Sequence, residues 1–397
     1  MAQIPLSARA QSMPVSTIRN AIPPQEDVRV YKLNIGQPDF PSPKEFFDGL
    51  SKFSSSVIAY DSARGNKSLI AAWSALLNTL YSLSLTEQNF LITAGSSEAL
   101  TFAFNICCDV EDEILVFSPT YANYTGFARM AGVKLVAVPC SFHTNFHTPV
   151  NAKEIEKHLT PKTKAILICN PNNPTGSVFT QQELTTLHEL CVSKNIFLFV
   201  DEVYREFIYT GEKPSTALAQ FPNSQHVVVF DSLSKRYSLC GARIGCLITH
   251  NQAFMQAAIN FASTRVSTAT IEQAAAAHML THIPDTYLTN AINEYHTRRN
   301  TLAAALVTVP GIGVTVPEGG FYVYASLPVE DAVHFTQFME YSFSYNQETL
   351  SISPAKEFLI NQKEPSNYVR IAFVLSKPEL TKSVTILRHA LKAYNKL

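Results

Sequence analysis

The chain has 397 residues, 46% of them hydrophobic and 16% charged, with a formal net charge of −1. That balance describes a folded globular protein with ample core and excludes a disordered or fibrous chain. It offers no electrostatic reason to expect nucleic acid or an acidic membrane surface as a partner.

Met1 to Arg9 lacks the uninterrupted apolar core of a signal peptide. No apolar run approaches the ~18 residues of a membrane span, so the expected location is the cytoplasm. Strand-like runs follow at Phe90–Thr93, Ile114–Phe117, Lys134–Val138, Ala165–Cys169, Ile196–Val200, Val227–Phe230 and Gly245–Thr249, separated by helical stretches. This alternation predicts an α/β fold with a mostly parallel seven-stranded sheet flanked by helices. Thr180 with Glu183 forms a capping box, Phe179 with Leu184 a staple, and Leu184, Leu187, Leu190 and Cys191 share one face of the helix they open. The same device recurs at Ser376 with Glu379 and Leu375 with Leu380, at the start of the last helix. From Asp285 to Val307 the pattern is one long helix, after which strands and helices alternate less regularly.

The seven cysteines (Cys107, Cys108, Cys140, Cys169, Cys191, Cys240, Cys246) are odd in number and sit mostly in apolar runs without a C-x-x-C pair. They read as buried free thiols and not as disulfides or a metal site. None is given a catalytic role, although Cys240 and Cys246 flank Arg243.

Polar residues gather at the carboxyl ends of three apolar runs, which is where open parallel sheets bind ligands. Asn170-Pro-Asn-Asn-Pro-Thr-Gly176 follows the first, Asp201-Glu-Val-Tyr204 the second, and Ser232-Leu-Ser-Lys-Arg-Tyr-Ser-Leu-Cys-Gly-Ala-Arg243 the third. Hydroxyls at Ser232 and Ser234 and a guanidinium at Arg243 suit a phosphate, and a shielded Lys235 amine suits attack on an aldehyde. Taken alone, Lys235 and Arg243 also read as ordinary surface cations. Gly95-Ser96-Ser97-Glu98 opens an apolar helix from Ala99 to Ile106, whose free N–H groups are either a second anion contact or a plain helix cap.

Ser-Leu-Ser-Lys235 with Arg243, Asn173-Pro-Thr-Gly176, Asp201 with Tyr204, Gly95-Ser-Ser-Glu98 and Tyr368-Val-Arg370-Ile-Ala372 occur in the order and spacing of one family. In these motifs, over nearly the whole length, the chain resembles pyridoxal-phosphate (PLP) enzymes of fold type I, the class I/II aminotransferases, aspartate aminotransferase-like. The resemblance implies a large PLP-binding domain over 46–284. It also implies a smaller α+β domain from 1–45 and 285–397.

It further implies pyridoxal 5'-phosphate bound covalently by Lys235, with Asp201 holding the proton of the pyridine nitrogen. Glu202 is the competing acid. Asn173 and Tyr204 resemble the donors to the cofactor's phenolic oxygen; Pro171 and Pro174 stiffen the loop that carries Asn173. Ser96, Ser97, Ser232, Ser234 and Arg243 make up the implied phosphate cup, and Tyr121 resembles the aromatic that stacks on the ring, though a core role also fits it. Arg370 and Gly36, with Asn173, match the residues that receive the substrate carboxylate. Tyr60 resembles a tyrosine that reaches a neighbouring subunit's cofactor, which implies a homodimer with shared sites.

The implied reaction is double displacement between an amino acid and a 2-oxo acid, with aspartate and 2-oxoglutarate as the leading pair. Alanine or an aromatic amino acid is the alternative donor, and carbon–sulfur β-lyase chemistry the alternative reaction on the same fold. A dicarboxylate needs a second cation. Some relatives carry a lysine where Ser97 stands here, which leaves Arg64, Arg236 and Arg265 as candidates, or none.

Overall fold

The structure is a computed structural model that describes residues 4–13, 27–141, 144, 146, 150–360 and 366–396. Residues 1–3, where the reading of a signal-free start begins, and 14–26, within the expected 1–45 segment, lie outside the described residues.

Seven strands form the main sheet, in the order Phe90–Thr93, Gly245–Thr249, Val227–Ser232, Phe197–Asp201, Thr163–Cys169, Glu113–Ser118 and Lys134–Pro139. Along each central strand alternate side chains enter opposite apolar clusters. Leu167, Phe199, Val228 and Phe230 pack on one face, and Ile166, Ile168, Val200, Val227 and Val229 on the other. A sheet covered by helices on both faces needs this near-continuous apolar sequence, which is why the strands read so clearly.

One strand runs against the rest. Gly245–Thr249 is antiparallel to both of its neighbours. The connection before it holds only the one-turn helix Leu233–Arg236 and the turn Cys240–Ala242, and Leu233 N–H donates to Ile244 O at 3.1 Å. The chain therefore doubles back as a wide hairpin instead of crossing over a sheet face. Lys235 sits on that hairpin.

The helix Gln181–Lys194 carries the expected box, with Glu183 N–H donating to Thr180 Oγ1 at 3.2 Å and Thr180 N–H donating to Glu183 Oε2 at 2.7 Å. Leu184, Leu187, Leu190 and Cys191 are its buried face, and Phe179 packs on the same cluster. Ser376 and Glu379 cap the helix Lys377–Tyr394 in the same way. The long helix is observed at Thr286–Val307 and packs against Lys377–Tyr394.

A second, antiparallel sheet runs Ser353–Pro354, Tyr368–Ala372, Tyr322–Ser326, Gly313–Thr315. Arg29–Lys32 pairs in parallel with Glu348–Ser351, tying the early chain to its last third. No helix among the described residues is long and apolar enough to cross a membrane, and no group of metal-ligating side chains is found among them. All seven cysteines are free thiols; Cys169, Cys191 and Cys246 are buried as expected, and the other four only half-buried.

Candidate active site

The strands ending at Cys169, Asp201 and Ser232 are neighbours, with Cys169 paired to Asp201 and Asp201 to Phe230. Their carboxyl ends open on a cavity of about 600 Å³. Lys235, Asp201, Tyr204, Asn173, Ser96, Ser97, Ser232, Ser234, Arg243, Tyr121, Gly36 and Arg370 all line it. Tyr60 does not; it is 83% exposed on the outside of the chain.

Asp201 lies at the floor, 3% exposed, where Tyr124 Oη donates to its Oδ2 at 2.8 Å. Burial pushes its carboxyl up to about 7, against the pull of the Tyr124 hydrogen bond. A buried carboxyl held so far from its ordinary range favours a cation placed before it. Glu202, the competing acid, is committed elsewhere: its Oε2 accepts from Arg205 Nη1 at 2.7 Å and its Oε1 from Ala217 N–H at 2.8 Å. Lys235 Nζ donates to Gly36 O at 2.8 Å and lies 3.9 Å from Cys240 Sγ.

One wall gathers hydroxyls, a helix start and a guanidinium. Ser96 begins the twelve-residue helix Ser96–Cys107, and the turn into it passes through Gly95 at φ +77°. A Cβ on Gly95 would stand 2.4 Å from Arg243 Nη2, and one on Gly245 would stand 2.5 Å from the Gly95 carbonyl carbon. Both glycines are thus required for the strand, the turn and the guanidinium to close together. Ser232 Oγ, Ser234 Oγ and Arg243 lie on the same wall, Ser232 Oγ donating to Ser234 Oγ at 2.7 Å.

The opposite wall carries Arg370, 3% exposed, with Nη1 donating to Asn173 Oδ1 at 3.0 Å and Nη2 to Asn34 O. Arg370 Nε is buried with no hydrogen-bond partner among the described residues. Such an orphaned charged donor beside a cavity fits an incoming carboxylate. A phosphate-bearing aromatic aldehyde with a basic ring nitrogen matches these donors in kind: hydroxyls and a guanidinium at one end, an acid on the floor, an amine across from it.

The three candidates for a second carboxylate cation do not reach this cavity. Arg64 donates to Glu87 O and Phe90 O at 3.0 and 3.1 Å. Arg265 pairs with Glu98 at 3.0 Å. Arg236 is 1% exposed inside a buried ionic cluster with Arg205, Glu202, Glu206 and Asp231, its Nη2 lying 3.0 Å from Asp231 Oδ2 and 2.8 Å from Glu206 Oε1. That cluster braces the backbone beside both Asp201 and Lys235, since Glu202 and Arg236 are their chain neighbours; a buried cluster with one partner removed costs about 3–5 kcal/mol. Sequence reading missed it, along with Tyr124, Tyr322, Cys169 and Cys240 on or under the cavity. Tyr124 left a signal as the second aromatic of Tyr121-Ala-Asn-Tyr124, and Cys240 as a neighbour of Arg243, whereas Tyr322 left none.

The strand ends of a doubly covered sheet thus bring a lysine, a buried aspartate and two arginines to one cavity, a set suited to amino-group chemistry. Residues 28–387 match the family model described as aminotransferase class I and II, and the chain belongs to that family of PLP-dependent enzymes. Among curated relatives, an aspartate aminotransferase of Sulfolobus acidocaldarius is 28% identical over 78% of this chain and 77% of its own. One of Thermotoga maritima is 28% identical over 89% of each. A solved alanine aminotransferase of Pyrococcus furiosus superposes with a TM-score of 0.87 at 26% identity, covering 98% of this chain and 100% of its own.

Proposed function

We propose that this aminotransferase uses pyridoxal 5'-phosphate to move an amino group from an L-amino acid to a 2-oxo acid by double displacement. The observation that carries this reading is that Lys235, Asp201, Arg243 and Arg370, from four separate stretches of chain, line one cavity. When bound, the cofactor supplies a cationic aromatic ring that takes up the electron pair released as the substrate loses its α-proton. Ser96, Ser97, Ser232, Ser234 and Arg243 hold its phosphate, Asp201 keeps its ring nitrogen protonated, and Asn173 and Tyr204 donate to its phenolic oxygen. Tyr121 covers the ring. Lys235 would hold it covalently, and the free Lys235 amine would serve as the base that takes the proton from the substrate Cα. Arg370 receives the α-carboxylate through a two-pronged contact, with Asn173 and the Gly36 stretch alongside.

Aspartate with 2-oxoglutarate is the leading pair, supported by the names of the curated relatives. The second reading, a neutral donor such as alanine, is favoured by one observation: Arg370 is the cavity's cation for a carboxylate among the described residues once Arg243 serves the phosphate and Lys235 the aldehyde. A panel of single amino acids mixed with the cofactor-loaded enzyme, followed by the change in cofactor absorbance, decides between them. Reaction with aspartate at least tenfold faster than with alanine supports the first reading. The reverse order supports the second, and no response to any amino acid rejects both.

The enzyme is further proposed to work as a cytoplasmic homodimer. Val57, Ile58 and Tyr60 are 67, 64 and 83% exposed along one short stretch, an apolar edge suited to a second copy. The division into 46–284 and 1–45 with 285–397 is proposed on the pairing of Arg29–Lys32 with Glu348–Ser351.

A further inference from the structure

We propose that Tyr322 is a positioning residue of the reaction, its hydroxyl setting the direction in which Tyr204 donates and its ring carrying Arg370. This rests on the reading above and concerns a side chain that none of the sequence motifs contains. Tyr322 is 2% exposed and opens the strand Tyr322–Ser326, whose neighbour Tyr368–Ala372 supplies Arg370. Its hydroxyl lies 2.8 Å from the Tyr204 hydroxyl, a buried contact between the smaller sheet and the turn after the strand Phe197–Asp201.

Each phenol owns one proton. If Tyr204 gives its proton to an oxygen in the cavity, its own oxygen is left to accept, and Tyr322 is the donor that meets it. A hydroxyl that accepts one bond donates the next more strongly, so Tyr322 reinforces the contact it never touches. Burial first, and Tyr322 next, raise the Tyr204 phenol well above its ordinary range, so it stays a donor. Cys169 and Tyr121 also face that phenol, and Lys235, Asp201 and Arg370 share the cavity.

The same side chain reaches the substrate end. The Arg370 guanidinium carbon sits 4.3 Å from the centre of the Tyr322 ring and 4.6 Å from that of Phe358, a cation held by two aromatic rings. A Cβ on Gly36 would stand 1.8 Å from Tyr322 Oη, so the hydroxyl itself dictates glycine there. The Gly36 carbonyl is the acceptor of Lys235 Nζ at 2.8 Å. One side chain therefore meets the Tyr204 phenol through its hydroxyl and Arg370 through its ring, and borders the glycine whose carbonyl accepts from Lys235.

Tyr322→Phe removes the hydroxyl and keeps the ring; Tyr322→Leu removes both. The cofactor-loaded proteins are titrated with pH in the absence of amino acid, following cofactor absorbance, and then assayed. For Tyr322→Phe the titration midpoint is expected to rise by about half a pH unit, because a weaker Tyr204 donor stabilises the anionic phenolic oxygen less. Its kcat should fall about tenfold with KM changed less than about threefold. Tyr322→Leu should raise KM about tenfold as well. In a Tyr204→Phe background, Tyr322→Phe should move the midpoint no further. An unchanged midpoint in folded Tyr322→Phe, or an equal rise in the Tyr204→Phe background, overturns the proposal while the general reading stands. A Tyr204→Phe variant with a wild-type midpoint, or a wild-type protein that takes up no cofactor, defeats the general reading instead.

Discussion

Lys235→Ala is expected to lower kcat by on the order of 10⁴-fold, the upper range for removing a positioned acid–base group. The residue stands on a hairpin bounded by a buried strand and braced on its far side by the Arg236 ion pairs, so the substitution removes an amine without removing a structural contact of the core. The phosphate cup and Asp201 are untouched, and cofactor should still bind, now without a covalent bond. Steady-state turnover together with cofactor content of the dialysed variant checks both halves. Turnover within tenfold of wild type would mean that another base takes the α-proton.

Asp201→Asn has the second-largest expected effect, about 10³-fold in kcat, because a neutral amide cannot hold a proton on the ring nitrogen by charge. Its signature lies in stability. In the cofactor-free protein burial raises the Asp201 carboxyl from 3.8 to about 7. A group whose folded value is raised contributes stability that is fully present below about pH 4 and is lost as the pH climbs through 7. At ~1.4 kcal/mol per tenfold, the gap between 3.8 and about 7 corresponds to roughly 4 kcal/mol. Denaturant unfolding of the cofactor-free forms should therefore show wild type losing more stability than Asp201→Asn between pH 5 and pH 8. Cofactor loading should cancel the difference, since a cation before Asp201 lowers its affinity for a proton. Parallel pH profiles for the two proteins would show that Asp201 is ionised throughout.

Much of the site was legible because buried parallel strands leave an unmistakable apolar signature and present polar residues at one end. Asp201 follows such a run at once and Asn173 and Ser232 stand shortly after theirs, and the three strands prove adjacent. The reversed strand was not legible: Gly245–Thr249 is as apolar as its neighbours, and its direction shows only in the antiparallel pairing with Val227–Ser232 and the Leu233 to Ile244 hydrogen bond. The choice among Arg64, Arg236, Arg265 or none was open in the sequence for a related reason. A sequence shows a charge but not its partner, and the partners Asp231 and Glu98, with the carbonyls around residue 88, are fixed by sheet register and helix packing. Tyr322 was invisible on the same grounds, since its meeting with Tyr204 spans 118 residues of chain.

The most direct test of a cofactor joined to Lys235 above Asp201 is reductive trapping. Protein incubated with pyridoxal 5'-phosphate is treated with borohydride, digested and mapped by peptide mass. One cofactor per chain on the peptide containing Lys235 is the expected result, lost in Lys235→Ala. Label spread over surface lysines, or stoichiometric label on any other single residue, contradicts it.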